Sequence, residues 1–529
     1  MRATPAANVI ILTLFVLAGC GGGSDSTTPP PPPPPPPAVS NPKLMWPGDV
    51  QVNSGLGDDG IGDSGPSGAA IVPDLIGGAT IAWEDHTSAL VHVQRIDVNG
   101  NKVWQSTGVS PSDVNTYQGS PQAVSDGSGG VILAWVDGRA GSCDETNQFE
   151  CDIYAQRIDS SGNLLWDSSG VAVVTAPHNQ GSSGIAMISD GIGGAIVAWE
   201  DARAACCTID AQRIAGTGQV LWQVDGIQVS PSPTIVIGTI GVPQMISDGS
   251  GGAIVAWWNT QNADPDQEFT VSTQRLDQNG NLLWGATGVT VSGLISGPRN
   301  GNAPGYALTS DRTGGAIFVG GVIDGTATGI ATTQRVDGAG QVMWGANSVQ
   351  VSATAAHELN PVVVEDGLGG AIIFWNSCQM QGVECSISTQ HVDPSGHLSW
   401  AAGGVSITQT PNRKYGPLAL SDGAGGAIVT WEDCPSVTDP SQCAEGIDLY
   451  GQRINSAGLP MWEANGFPIS TNQDNQGVQT GNLNAGIYAS RDNLGNTFFA
   501  WPDGRINHRC AYMPIGAPSH CDLFTQSIH

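Results

Sequence analysis

Lysine is almost absent. The chain of 529 residues has three, Lys43, Lys102 and Lys414. Lys and Arg together number 18 against 47 acidic residues, a net charge of −29. Nothing in such a chain neutralises a run of phosphates, which excludes a general nucleic-acid binder and argues against an anionic membrane surface as partner. Charged residues of either sign are only 12% and aromatics 6%. Within the aromatics, however, Trp (16) outnumbers Phe (9) and Tyr (7). A Trp-rich, Lys-poor chain with 73 glycines points away from helical bundles and towards turn-rich β structure. Hydrophobic residues, at 40%, suffice for a large core and exclude global disorder.

The apolar run Val9–Ala18 follows Arg2 and is too short for a permanent span, but suits the apolar region of a signal peptide. It ends in Leu17-Ala18-Gly19-Cys20, which resembles the lipobox of bacterial lipoproteins. That resemblance implies removal of residues 1–19 and lipidation of Cys20. Gly21, where Asp would imply inner-membrane retention, implies an outer-membrane anchor. Residues 20–40 continue with a Gly/Ser segment and nine prolines, Pro29–Pro37. The proline run reads as a polyproline II rod of roughly 28 Å, part of a stalk.

Residues 41–529 repeat one unit eight times. Its first anchor, after a Gly-Gly-apolar run, is Trp83, Trp135, Trp199, Trp257, Gly320, Trp375, Trp431 and Trp501. Its second is Gln94, Gln156, Gln212, Gln274, Gln334, Gln390, Gln452 and Gln526. Its third is a Trp four residues after a Gly: Trp104, Trp166, Trp222, Trp284, Trp344, Trp400 and Trp462. The eighth copy stops before its third anchor, and Asn41–Val52 carries the missing piece, with Trp46. Turns rich in Asp, Gly and Asn divide each unit into four strands, with the fourth expected to carry the third-anchor Trp. The fold class expected is all-β: an eight-bladed β-propeller of four-stranded blades, closed by an N-terminal strand that completes the C-terminal blade. Two stacked β-sandwiches leave the Trp46 piece unexplained. Residues 41–54 are expected to complete blade 8, and the blades to cover about 66–118, 119–180, 181–240, 241–301, 302–358, 359–414, 415–482 and 483–529.

The segment Ala155-Gln156-Arg157-Ile158-Asp159-Ser160-Ser161-Gly162-Asn163-Leu164-Leu165-Trp166 resembles the tryptophan-docking motif of quinoprotein-type propellers, with an Asp-to-Gly spacing one residue shorter. More distantly, the same turn stands where sialidase-like propellers carry an Asp-box, again with different spacing. The resemblance implies eight blades with this Trp packed between neighbours. It also implies two classes of function: oxidation with pyrroloquinoline quinone, or a non-enzymatic scaffold in the outer membrane. No motif supplies the metal-binding or catalytic acids of the former. Adjacent Cys206 and Cys207 are similar to the vicinal disulfide of some quinoprotein dehydrogenases.

Once Cys20 is assigned to lipid, ten cysteines remain, an even number that implies disulfides in an exported protein. Eight form local pairs, Cys143/Cys151, Cys378/Cys385, Cys434/Cys443 and Cys510/Cys521. All fall between strands 2 and 3, so all emerge on one face. His508, Cys510, His520 and Cys521 offer a zinc-like set, against which the oxidising compartment favours a disulfide. The Asp of the DGxGG turns (Asp126, Asp190, Asp248, Asp366, Asp422) reads as a turn-forming residue rather than a calcium ligand, one carboxylate per turn being too few.

Candidate binding residues on the disulfide-bearing face are Trp258, an exposed aromatic contact in this reading, and the acid pairs Glu84/Asp85, Glu200/Asp201 and Glu432/Asp433. The competing reading of the pairs is an Asp held by a nearby Arg, as in Asp201 with Arg203. No catalytic or metal-binding residue is assigned, and no cofactor is expected, with calcium and pyrroloquinoline quinone as alternatives. The function expected is a lipid-anchored, non-catalytic binding or scaffolding protein of the envelope or cell surface, whose partner is an envelope or extracellular protein or a glycan. The alternative is a propeller enzyme, either a quinoprotein-like oxidoreductase or a glycan-active hydrolase or lyase.

Overall fold

The computed structural model describes residues 40–53, 69–85, 88–141, 143, 150–203, 207–231, 243–259, 270–294, 305–323, 329–352, 357–378, 384–410, 412–434, 447–471, 487–503 and 522–529. The signal segment, Cys20, the proline stalk, Cys206, Cys443, His508, Cys510, His520 and Cys521 lie outside them. Val39–His529 is one compact unit. It is all-β: seven antiparallel sheets of four strands and one of three. The first strands of consecutive sheets lie against one another in a ring, and Ala69–Pro73 of blade 1 meets Tyr488–Arg491 of blade 8 to close it. This is the eight-bladed propeller expected from the repeat.

Closure is as the Trp46 piece implied. Val50–Gln51 is the outermost strand of blade 8, paired with Asp522–Ile528. Val50 stands opposite Thr525 and Gln51 opposite Phe524. A further bridge joins Leu44 to Ile528, and the bend between the two places Trp46, 1% exposed, in the layer between blades 8 and 1 beside Phe498. Blade 1 departs from the pattern. Its fourth strand is a single bridge, Val93 to Val109. Pro111 has no N–H to extend that ladder.

A second departure concerns the third-anchor Trp, expected within strand 4. In blade 2, Leu164 makes one bridge to Ile158 and the chain turns again before strand 4, Val171–Val174. The buried Gln156 causes this. Its Oε1 accepts from Arg157 N and Trp166 N, both at 3.0 Å, and its Nε2 donates to Asp167 O at 2.7 Å. The amide thus wraps the turn around itself, and Gln94, Gln212, Gln274, Gln334, Gln390 and Gln452 repeat the arrangement.

The hydrophobic core is a set of layers at the blade junctions, each bracketed by two kinds of Trp except between blades 4 and 5, where the strand-2 position is Gly320. The strand-2 Trp faces the preceding blade, as Trp257 does in the layer it shares with Ile209 and Ala211 of blade 3. The third-anchor Trp faces the following blade: Trp104 Nε1 donates to Ser160 O at 3.2 Å and Trp166 Nε1 to Gly216 O at 3.1 Å.

The DGxGG turns are closed by their own carboxylate. Asp126 Oδ1 accepts from Ser128 N (2.7 Å) and Gly130 N (2.9 Å), and Oδ2 pairs with Arg157 at 2.9 Å. A Cβ on Gly130 would stand 2.3 Å from Ile158 O, so glycine is required there. Asp190, Asp248 and Asp422 repeat the set with Arg213, Arg275 and Arg453. Both carboxylate oxygens are therefore spent on the turn and the Arg. This is the turn-forming role expected of them.

Candidate binding face

The 1–2 and 3–4 turns emerge on one face of the ring, the 2–3 loops and 4–1 connections on the other. On the loop face the sequence varies from blade to blade. Strand 2 ends there in an alternating Trp-Glu-Asp pattern, and alternation sends the Trp and Asp to one side and the Glu to the other. Trp135 Nε1 donates to Asp137 Oδ2 at 2.8 Å, Trp199 Nε1 to Asp201 Oδ2 at 2.9 Å and Trp501 Nε1 to Asp503 Oδ2 at 3.1 Å. Arg139 Nε holds Asp137 Oδ1 at 2.8 Å while its guanidinium lies 3.5 Å above the Tyr154 ring. Arg203 Nε grips Asp201 in the same way at 2.8 Å.

Five of the six acids in these pairs are buried, Asp85 being the exception, which corrects the reading of the pairs as a set of binding residues. Glu84 is buried, its Oε2 accepting from Ser120 N of the next blade at 3.1 Å. Glu200 is also buried, and Asp201 is the Arg203-bound residue of the competing reading. Burial pushes Glu432 up to about 8. Asp433 accepts from Asn412 Nδ2 at 2.6 Å and lies 3.5 Å from Lys414 Nζ. Asp85 remains partly exposed, accepting from Ser88 Oγ at 2.8 Å, with His92 Nε2 at 3.7 Å.

Trp258 is corrected too. It is 7% exposed and sits edge-on to Tyr306, ring centroids 4.8 Å apart. Blade 5 has Gly320 where its neighbours have a strand-2 Trp. Trp258 and Tyr306 fill the layer that Gly320 leaves without a ring. Trp258 is core, not a platform for a sugar.

The structure adds a second tier of acids, on strand 3, that the repeat reading missed. Asp152 stands directly across from Asp137, Asp448 from Asp433 and Asp522 from Asp503. Asp210 lies two residues along from Thr208, whose Oγ1 donates to it at 2.7 Å. Burial, reinforced by the facing carboxylate, pushes Asp152 and Asp448 up to about 6, and burial chiefly pushes Asp210 up to about 7. Asp522 is raised for the same reason. The sequence does hold a signal: Asp152, Asp448 and Asp522 each precede an anchor Gln by four residues. With Glu84 and Asp85, these acids occupy blades 7, 8, 1, 2 and 3, an unbroken arc because blade 8 adjoins blade 1. The matching strand-2 positions in blades 4–6 are Trp258-Asn259, Gly321-Val322 and Asn376-Ser377, all uncharged.

Two of the expected disulfides are present on this face, Cys143–Cys151 with Cα atoms 5.0 Å apart and Cys378–Cys385 with Cα atoms 4.0 Å apart. Cys378 and Cys385 are also opposite one another in the ladder, so the bond pins the end of that hairpin. Cys207 and Cys434 are disulfide-bonded as well. Among the described residues no group of three His, Cys, Asp or Glu is placed to hold a metal ion.

No family model matches the chain. No curated protein matches it either. Among solved structures it is similar to a polysaccharide lyase, Uly1, at 8% identity and TM-score 0.43, covering 90% of this chain and 99% of that one. It is similar to a puromycin hydrolase at 12% identity and TM-score 0.39, over 87% of this chain. The match covers 62% of the hydrolase's length. A lectin, SapL1, solved with alpha methyl fucoside, matches at 13% identity and TM-score 0.32, covering 65% of this chain and 98% of the lectin. Likenesses this weak carry nothing about activity or ligand.

Proposed function

We propose that this chain is an outer-membrane lipoprotein, anchored through Cys20, whose propeller is a non-catalytic binding or scaffolding module for an envelope or extracellular protein or glycan. One observation carries the binding reading. The repeated Gln, Arg, Asp and Trp side chains are consumed by bonds within and between blades, so they cannot differ from blade to blade for recognition. Loop length and sequence vary most on the loop face, where disulfides brace the loops and lower the entropy lost on binding. The acidic arc beneath those loops favours a cationic or cation-bridged partner, with binding weakened by salt. No helix among the described residues is long and apolar enough to cross a membrane, and a lipid on Cys20 would supply the anchor.

The test is to produce the protein in its native host, with and without Cys20→Ala, in the presence of an alkyne-bearing fatty acid. Label on the parent alone, in the outer-membrane fraction, supports the anchor; equal label on both removes it. Partners are then sought by crosslinking from the loop face and from the turn face in parallel. Crosslinks that come only from the turn face would overturn the assignment of the binding face. A cofactor absorbance spectrum on the same preparation, or turnover of a polysaccharide panel, would replace the scaffold reading with the oxidoreductase or glycan-active one.

A further inference from the structure

The ring is sewn together at five successive junctions by one repeated contact. Arg Nη1 from strand 3 and the third-anchor Trp Nε1 donate to the same main-chain oxygen in the 3–4 turn of the next blade. Arg95 and Trp104 share Ser160 O (3.1 and 3.2 Å), and Arg213 and Trp222 share Gln278 O (2.7 and 3.1 Å). Arg157/Trp166, Arg275/Trp284 and Arg335/Trp344 do the same with Gly216, Gly338 and Pro394. At the junction of blades 7 and 8 this contact fails. Blade 8 takes its fourth strand from residues 44–51, so no 3–4 turn crosses there. Arg453 still grips Asp422 through Nε (3.0 Å) and Nη2 (2.9 Å), but among the described residues its Nη1 has no carbonyl to meet. Its side chain is 41% exposed, against 7% for Arg213.

In place of the missing oxygen is a cavity of about 150 Å³ lined by Arg453, Trp462, Arg491, His529 and Pro42. The Arg491 side chain makes no hydrogen bond or ion pair among the described residues, and its Nε is buried without an acceptor. It lies in the wall between the blades, a Cβ on Gly423 being 3.4 Å from Nη1. His529 Nδ1 is engaged with Asn496 Oδ1 at 2.7 Å, and its main-chain O accepts from Lys43 N at 3.2 Å. Two guanidinium groups thus face one small cavity in a chain of net charge −29.

We propose that this seam cavity is a binding site for a single oxyanion group, a carboxylate, sulfate or phosphate, whose oxygens take the place of the carbonyl used at those five junctions. Guanidinium forks match such groups bidentately, and an unpaired buried Arg donor is costly until an acceptor arrives. At roughly 30 Å³ per water the cavity holds about five waters, room for one oxyanion group and not for the rest of a polymer or lipid that carries it. The site lies on the turn face, so it is independent of the loop-face reading above.

The experiment is calorimetric titration of the purified propeller with inorganic phosphate, sulfate and glucuronate at low chloride. The expected result is saturable binding of one equivalent, weakened at least tenfold by Arg491→Gln. The Arg491 side chain has no partner among the described residues, so that variant is expected to keep the parent's melting temperature without ligand. Arg453→Gln should also weaken binding, and Arg312→Gln, at a surface pair elsewhere, should not. Absence of saturable binding up to 50-fold above the protein concentration, or binding unchanged in Arg491→Gln, overturns the proposal. A further arm compares vesicles rich in phosphatidylglycerol with soluble polygalacturonate. Arg491-dependent binding to one and not the other identifies a lipid phosphate or a polymer carboxylate as the source. Binding to neither, with the small anions still bound, identifies a free anion.

Discussion

Trp222 lies flat against Gly280 of the next blade. A Cβ at Gly280, whose φ is +82°, would stand 3.0 Å from Trp222 Cδ2 and 2.9 Å from Ile227 Cδ1. The glycine of the Gly-x-x-x-Trp repeat thus serves its own turn and the Trp of the blade before it. Gly280→Ala is expected to lower stability by about 1–3 kcal/mol, through backbone strain and overpacking together. Trp222→Ala is expected to cost about 3–5 kcal/mol. Because the two residues share one contact, the double variant should lose less than the sum, by at least 0.5 kcal/mol on the scale of directly touching pairs. Denaturant unfolding of the four proteins measures this, and strict additivity would show that the contact is not the source of the glycine.

Closure rests on a short strand with more than ladder bonds to hold it. Gln51 Nε2 and Asn53 Nδ2 donate to Asp522 Oδ1 at 3.1 and 3.2 Å, and Trp46 fills the space above Gly100. Deleting residues 41–52 exposes a sheet edge and empties the Trp46 pocket. A loss of several kcal/mol or aggregation is expected, and a synthetic 41–52 peptide should reverse it in part. An unchanged melting temperature would show that the ring is held closed without this strand.

Trp258→Ala is expected to act on stability, by about 3–5 kcal/mol, because the ring fills the blade 4–5 layer. Substituting Gly320→Trp in the same chain supplies the ring from the position used by the other blades, and should recover part of the loss. Recovery of none of it would show that Gly320 is not the reason Trp258 is there.

How the ring and its closure were legible, while the binding face was not, follows from what repeats. The Gln, Arg, Asp and Trp contacts are the same chemistry at the same spacing in blade after blade, so periodicity exposes them. Trp258 occurs once, and its role depends on the absence of a ring at Gly320 in the following blade, a relation between blades that spacing alone does not display. Strand alternation turns Glu84 and Glu432 into the blade interface, whereas their charge taken alone points to solvent. Lys414 is the clearest case. It is one of three lysines and wholly buried, its Nζ satisfied by Thr410 O at 3.1 Å, Thr410 Oγ1 at 3.0 Å and Asn412 O at 3.2 Å. Those partners come from the connection before strand 1, which carries no repeat signal.

The disulfides should map as local pairs. Non-reducing peptide analysis is expected to return Cys143–Cys151, Cys378–Cys385, Cys434–Cys443 and Cys510–Cys521, with Cys206–Cys207 as a vicinal bond. Replacing Cys378 and Cys385 by Ser should cost about 2–3 kcal/mol in the chain-entropy description of a short loop. Pairs joining different blades, such as Cys143 with Cys378, would contradict the blade assignment.

The strand-3 acids make stability depend on pH in a defined direction. Asp210 is raised in the folded protein to about 7, from an ordinary value near 4, chiefly because it is buried. Folded protein therefore holds a proton there that unfolded protein has released. This contribution to stability is fully present below about pH 4 and is lost as pH rises towards 7. Asp152 and Asp448, at about 6, act in the same sense over a narrower window. Asn at position 210 keeps an oxygen for Thr208 Oγ1 and cannot ionise. Asp210→Asn is thus expected to be neutral near pH 4 and more stable than the parent at pH 8, on the order of 1–3 kcal/mol after allowance for relaxation. Denaturant midpoints at pH 4, 6 and 8 measure the difference. A gap that is constant across that range would show that the variant acts through packing and that Asp210 does not titrate in the window. A bound cation on the arc would shrink the gap at pH 8, because it stabilises the ionised carboxylates of the parent and not the neutral amide.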